Sequence, residues 1–230
     1  MPSFLFVTIA LTIVWAIIYA LSKTTRHEQF VMSIIGLILA PGALVLASLD
    51  YRSGRDVTST MVGVEDLLFA ACLFGIAAVI YQVVFSKHTA RLKGARIRLN
   101  HPVSHWFSHL LIALGLWAFI SLSLTLVLHL SSVQAFIVGG MLVGTYVIAD
   151  RKDLLFDALL SGLLVATLVF MVEQLFFMRI FPEAAAGFWQ LENLTGILLG
   201  GIPVEEILWA AVVGFAVGPL YEYTRQLAIK

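Results

Sequence analysis

Two adjacent carboxylic acids, Glu205 and Glu206, lie in an apolar stretch long enough to cross a bilayer, Gly201 to Tyr223. An acidic side chain near a bilayer centre costs roughly 2.5 to 3.5 kcal/mol on insertion scales, so acids kept there point to use. Neighbours on a helix project about 100° apart, so only one of the two can aim straight at a given partner. The chemistry open to such groups is proton transfer. Two close carboxyls in a dry site cannot both ionise easily, so one holds its proton to a higher pH, and an acid and a base stand ready together.

The motif has an echo. Glu65-Asp66-Leu67-Leu68-Phe69-Ala70-Ala71 aligns without a gap on Glu205-Glu206-Ile207-Leu208-Trp209-Ala210-Ala211, and the alignment runs on to Tyr81-Gln82 against Tyr221-Glu222. Five of the 18 aligned positions are identical. An acidic pair shared at one offset within apolar helices predicts an internal duplication. It adds Glu65 and Asp66 to the candidate acids. Phe69 and Trp209, one turn beyond the first acid of each pair, are placed to stabilise a cation through their π faces or to pack against lipid. Glu65 and Asp66 also suit a plain helix start, where acids complement the dipole. Tyr81 and Tyr221 fit an aromatic belt at the opposite interface.

The elements that must hold these residues are membrane spans. The chain has 230 residues, 60% hydrophobic and 12% charged, against about 45 to 50% and about 25% for a soluble domain. The composition predicts an all-α polytopic membrane protein. A span needs about 20 mainly apolar residues, which gives seven: Phe4 to Leu21, Phe30 to Leu49, Met61 to Phe85, Trp106 to Leu128, Val133 to Ala149, Leu154 to Met178, and Leu194 to Tyr221 with a kink or break at Pro203. Met1 to Ser3 carry no basic residue, and the first apolar run reads as a span rather than a cleaved leader. Cys72 is the only cysteine, which excludes an intrachain disulfide or a cysteine-rich metal site.

Lys87, Arg91, Lys93, Arg96 and Arg98 mark the connection after the third span as cytoplasmic. Seven alternating spans then place eleven of the fourteen basic residues inside, with Arg52, Arg55 and Arg179 outside, the N-terminus outside and the C-terminus inside. Orientation accounts for the basic loop, which requires no nucleic acid. The duplication fits a 3+1+3 parallel-repeat arrangement: residues 1–88 as the first three-helix repeat, 89–131 as basic loop and linker helix, 132–230 as the second repeat. Glu65 and Glu205 then share a depth towards the outer side. Glu173 lies about 8 Å below the outer end of the sixth span, and Asp50 ends the second. His101, His105 and His109 recur every four residues, but Pro102 and the basic surroundings make an interfacial stripe the better reading than a metal site. No glycine-rich phosphate motif, Asp-rich diphosphate site or serine-nucleophile motif is present.

At Pro203-Val204-Glu205-Glu206 followed by Ile207-Leu208-Trp209, the chain resembles the integral-membrane lycopene cyclase family, in its fused two-domain, cofactor-independent form. In the first repeat Gly63 stands at the proline position and Asp66 at that of the second Glu. The resemblance implies a multi-pass enzyme of the cell membrane that acts on a lipid-soluble linear carotenoid or related isoprenoid without a cofactor or metal. An acid protonates the terminal double bond, the cation closes to a β-type ring, and a base removes a proton, a non-redox intramolecular lyase or isomerase reaction. Glu205 and Glu65 are expected as the facing pair, with Glu206, Asp66 and Glu173 in support and Pro203, Phe69 and Trp209 against the substrate. Two other classes stay open at this point: a small 3+1+3 transporter of a polar solute, whose path would need polar residues on several spans, and a non-catalytic membrane protein of the same fold.

Overall fold

The computed structural model describes residues 2–51, 63–91, 102–185 and 187–230. The helices are α1 (Pro2–Leu21), α2 (Arg26–Asp50), α3 (Val64–Val84), α4 (Pro102–Leu128), α5 (Ser132–Asp150), α6 (Leu155–Glu173), the short α7 (Pro182–Ala185), α8 (Val204–Val217) and α9 (Leu220–Arg225). Two-residue or three-residue strands complete the list: β1 (Thr89–Arg91), β2 (Leu198–Leu199), β3 (Ile202–Pro203) and β4 (Leu227–Ile229). Seven helical stretches, Phe4–Leu21, Arg26–Asp50, Val64–Val84, Trp106–Leu128, Ser132–Asp150, Lys152–Ile180 and Val204–Arg225, are long and apolar enough to cross a membrane. Apolar side chains such as Ile13, Ile38, Phe119, Phe156 and Leu163 stand exposed around the bundle, as a lipid-facing surface requires. The chain is an all-α polytopic membrane protein.

The helices pack in matching pairs. α2 lies along α3 and α6 along α8, while α1 packs on α3 and α5 on α8. Helix association in lipid depends on close backbone approach at small residues. At Gly75, a Cβ would stand 2.1 Å from Ser33 Oγ and 2.9 Å from the Gln29 carbonyl of α2. At Gly214, it would stand 2.4 Å from the Ser161 carbonyl and 2.8 Å from Gly162 Cα of α6, backbone atoms that cannot step aside cheaply. Gly214→Val is therefore expected to destabilise the protein by about 2 to 3 kcal/mol or more, read as a lowered Tm in detergent.

α3 and α8 meet at the centre, and residues paired by the internal sequence match lie close there. Phe69 and Trp209 have ring centroids 6.2 Å apart. At the far end of α3, Gln82 Nε2 donates to Glu222 Oε1 of α9 and to both carboxyl oxygens of Glu28 on α2, the latter each 3.1 Å away. Between these polar ends the helices contribute buried apolar side chains, including Ile76, Ala77, Val213 and Ala216. β1 and β4 pair antiparallel, tying the chain after α3 to the C-terminal strand on one side of the bundle.

The last span differs from the sequence expectation. Helix does not begin at Leu194: a turn at Leu191–Asn193 and the β2–β3 hairpin come first, and α8 starts at Val204. Gly200 and Gly201 form the two-residue hairpin loop with φ of +59° and +92°, the left-handed pair that such a loop demands. Pro203 has no N–H to offer a helix interior, and it occupies the position just before α8. α8 then ends at Gly218-Pro219, and α9 follows as a separate short helix. The sixth span also departs from plain α-helix, since Gln174–Ile180 winds as π-helix. The expected start of the third span at Met61, the outer residues Arg52 and Arg55, the basic loop residues Lys93, Arg96 and Arg98, and His101 lie outside the described residues.

Candidate active site

Both acidic pairs fall in the first turn of their helices, Glu65-Asp66 in α3 and Glu205-Glu206 in α8. Asp66 Oδ2 accepts the Gly63 N–H at 3.1 Å, closing a cap that holds this carboxyl at the helix start. Glu65, Asp66, Glu173, Glu205 and Glu206 are each no more than 7% exposed, so burial is common to all five candidates. What separates them is the space they face.

A cavity of about 410 Å³ lies between α2, α3, α4, α5 and α8. Its lining is apolar and aromatic, with Phe4, Phe69, Trp117, Phe188 and Trp209 among the rings, and Asp66 and Glu206 are its carboxyls. Glu65, Glu205 and Pro203 are not lining residues. The cavity wall thus takes the second acid of each pair, Asp66 and Glu206, and not Glu65 and Glu205. The reason is the 100° step between helix neighbours, which turns the first acid away once the second points inward.

Glu205 instead holds the connection before α8, its Oε1 accepting the Thr195 N–H at 2.7 Å. The Glu65 carbonyl accepts the Thr8 hydroxyl at 3.3 Å, joining α1 to α3. Asp50 works as a cap: its carboxylate accepts the backbone N–H of Ser132 at 2.8 Å and the Ser132 hydroxyl, at the positive end of α5. Pro203 is buried beneath the hairpin it ends. Glu173 closes α6 where the π-helical segment begins, a type of junction frequent at functional sites. Phe177 of that segment packs against Phe188 and Trp189 at 4.7 and 5.2 Å between ring centroids.

Two residues that sequence reasoning missed converge on Glu206. Tyr51 donates its hydroxyl to Glu206 Oε2, and Trp189 Nε1 donates to the same oxygen at 2.8 Å. Burial, followed by the negative charge of Glu206, pushes the Tyr51 phenol well above its usual pKa, so Tyr51 stays a donor. The Gln190 N–H donates to the Tyr51 carbonyl at 2.9 Å, which clamps the two donor segments together. Two donors on one oxygen fix the position of the Glu206 carboxyl. The signals for this pair were a tyrosine directly after Asp50 and the aromatic pair Phe188-Trp189 in a connection.

The remaining candidates sit elsewhere. Tyr221 hydrogen-bonds His27 Nδ1 at 3.0 Å, and Tyr81 lies tilted against Phe85 with ring centroids 5.3 Å apart, both at the end of α3 and α9 away from the cavity. His109 is partly buried on α4, and the side chain of His105, like all of His101, lies outside the described residues. Among the described residues no group of three or more His, Cys, Asp or Glu side chains is arranged to hold a metal ion.

A search of curated proteins finds no match to the chain, and neither does a search of solved structures. The family model described as lycopene cyclase matches residues 103–224, which run from the start of α4 into α9 and include Pro203, Glu205, Glu206 and Trp209. More than half of the sequence thus carries the family's pattern, and the chain belongs to the lycopene cyclase family.

Proposed function

We propose that the protein closes the end group of a linear carotenoid, of the lycopene type, into a β-type ring by acid and base steps inside the α2–α3–α4–α5–α8 cavity. The observation that carries this reading is an apolar, aromatic cavity with two carboxyls, Asp66 and Glu206, in its wall. Its volume falls within the roughly 300 to 1,000 Å³ usual for ligand sites. Asp66 is the acid that gives a proton to the terminal double bond. The π electrons of that bond form the new C–H bond, and the resulting cation is attacked by the next double bond, closing six atoms into a ring. Phe69, Trp209 and Phe188 face the cation with their π clouds. Glu206, fixed by Tyr51 and Trp189, is the carboxylate that takes a proton from the ring carbon beside the second cation. One proton enters and one leaves, so substrate and product are isomers. Glu205 supports the two reacting acids through the Thr195 connection, Glu65 through the join of α1 to α3, and Glu173 from the start of the π-helical segment.

The same reading divides the chain into two parallel repeats, residues 1–88 and 132–230, joined by 89–131, with the N-terminus outside and the C-terminus in the cytoplasm of a cell membrane. The matching helix pairs and the Phe69–Trp209 and Gln82–Glu222 contacts support the repeats. Against a polar-solute transporter stands the stretch of α3 and α8 between the cavity acids and the Glu28–Gln82–Glu222 cluster, in which neither helix carries a charged side chain.

Expression in a lycopene-accumulating bacterial host, with pigments separated by chromatography, tests the activity. A cyclic carotene is the expected product; unchanged lycopene with the protein present in the membrane would contradict it. In the same assay Tyr51→Phe is expected to slow turnover about 10-fold to 100-fold with little change in KM, the value of one lost hydrogen bond to a charged oxygen. A structural role for Tyr51 would lower the amount of folded protein and leave turnover per folded molecule unchanged.

A further inference from the structure

The cavity has a side opening, and its position assigns a route for the substrate. Most of the lining is buried or half-buried, but Gly42 and Ala43 on α2 and Ala118 and Leu122 on α4 stand exposed, and no other helix contributes an exposed lining residue. α2 packs on α3 and, less extensively, on α5; α4 packs on α5 and α9. Among the described residues α2 and α4 make no more than marginal contact with each other, although both border the cavity. The pseudo-equivalent relation shows what is missing: α3 packs against α6, whereas α2 stands off from α8 and the space between them is the cavity.

Three of the four rim residues, Gly42, Ala43 and Ala118, are small. A Cβ at Gly42 would meet no atom within 4 Å, so the gap at this level is open rather than closed by a neighbouring side chain. Pro41, directly before it, has no N–H and deprives α2 of one backbone bond at the rim. All four exposed lining residues lie within spans Arg26–Asp50 and Trp106–Leu128, so the opening faces hydrocarbon, not water.

We infer that the α2–α4 gap is the lateral mouth through which a linear isoprenoid hydrocarbon passes from the bilayer, and in which its unreacted chain lies while one end group occupies the cavity. The inference rests on the proposed function for the identity of the occupant. A linear carotenoid is far longer than a cavity of about 410 Å³ can hold, so most of its length must run outside. An apolar chain gains nothing from water, and the exposed rim leads it along lipid instead. The buried acids at the inner end and the exposed small residues at the outer end give the chain one direction of insertion, end group first. A second end group would reach the acids only after the chain withdraws and reinserts the other way round, so a product with one ring is released between two cyclisations.

The test uses the full chain in phosphatidylcholine vesicles with a linear isoprenoid hydrocarbon that carries a mid-chain diazirine. After irradiation, label should concentrate on residues 42–47 and 118–125. It should fall about tenfold in Gly42→Trp/Ala118→Trp, whose indoles fill the mouth, and stay unchanged in Gly115→Trp, a position on the same helix that is also open but does not line the cavity. Label spread evenly over the lipid-facing surfaces, or unaffected by the double substitution, would overturn the mouth. Should the double variant be lost from the membrane, Gly42→Trp alone gives the same comparison. Turnover of lycopene in the same proteins separates this inference from the function. Labelling at the mouth without any ring product would leave the mouth standing and remove the cyclase reading. Ring product at the wild-type rate in Gly42→Trp/Ala118→Trp would do the reverse.

Discussion

Glu206→Gln is expected to cut ring formation about a thousandfold while leaving the protein in the membrane, because it removes the base and keeps the shape. The carboxylate oxygen that Tyr51 and Trp189 approach accepts both of their hydrogen bonds. Glutamine can offer its carbonyl oxygen to the same two donors, which leaves its NH2 facing the cavity, a group with no basicity to take a proton. Fold and packing should therefore survive. Glu205→Gln is the matched comparison. Its carbonyl oxygen can still accept the Thr195 N–H, and its side chain does not line the cavity, so a loss of about tenfold or less is expected. Turnover per folded molecule in the two variants checks the assignment. Equal losses would remove the distinction drawn between the first and second acid.

Asp66→Asn should be as damaging to turnover and almost silent in stability. Asp66 is the third residue of α3, and the Oδ1 of an asparagine there can accept the Gly63 N–H as the carboxylate does, so the bond that closes the cap survives the change. An amide cannot deliver a proton to a carbon–carbon double bond, and a loss of about a thousandfold is expected. Tm in detergent should move by no more than a few degrees. A large fall in Tm with turnover per folded molecule intact would make Asp66 a cap and nothing more. Asp66→Glu, which keeps an acid but lengthens its reach, should recover part of the rate.

The sequence was most legible where physics depends on composition. Seven apolar runs with few charges had to be spans, and six of them match helices to within a few residues at the ends the structure describes. The seventh misled because Leu194 to Leu199 are apolar enough to continue a helix, while the Gly200-Gly201 pair imposes a hairpin loop and Pro203 sets the helix start. A Gly-Gly dipeptide followed by Pro was the signal, and it outweighs hydropathy locally. The internal sequence match picked out both acidic pairs, and its aligned rings Phe69 and Trp209 lie 6.2 Å apart between centroids. Choosing between neighbours was beyond it: which of Glu205 and Glu206 faces the cavity depends on the rotation of α8, and that is set by packing at Gly214 and by the hairpin. Tyr51 and Trp189 were hidden for another reason. They lie 155 and 17 residues from Glu206 in a span end and a connection, and only the fold brings their donors to one oxygen.

Proton transfer from a carboxyl to the substrate is the centre of this account, and its most direct measurement is product mass after turnover in D2O. Protein in vesicles, exchanged into D2O and supplied with lycopene, should yield a cyclic carotene heavier by one deuterium for each ring formed, since the acid delivers exchangeable deuterium and the base removes a substrate proton. Cyclic product of unchanged mass would contradict the proposed role of Asp66 and Glu206.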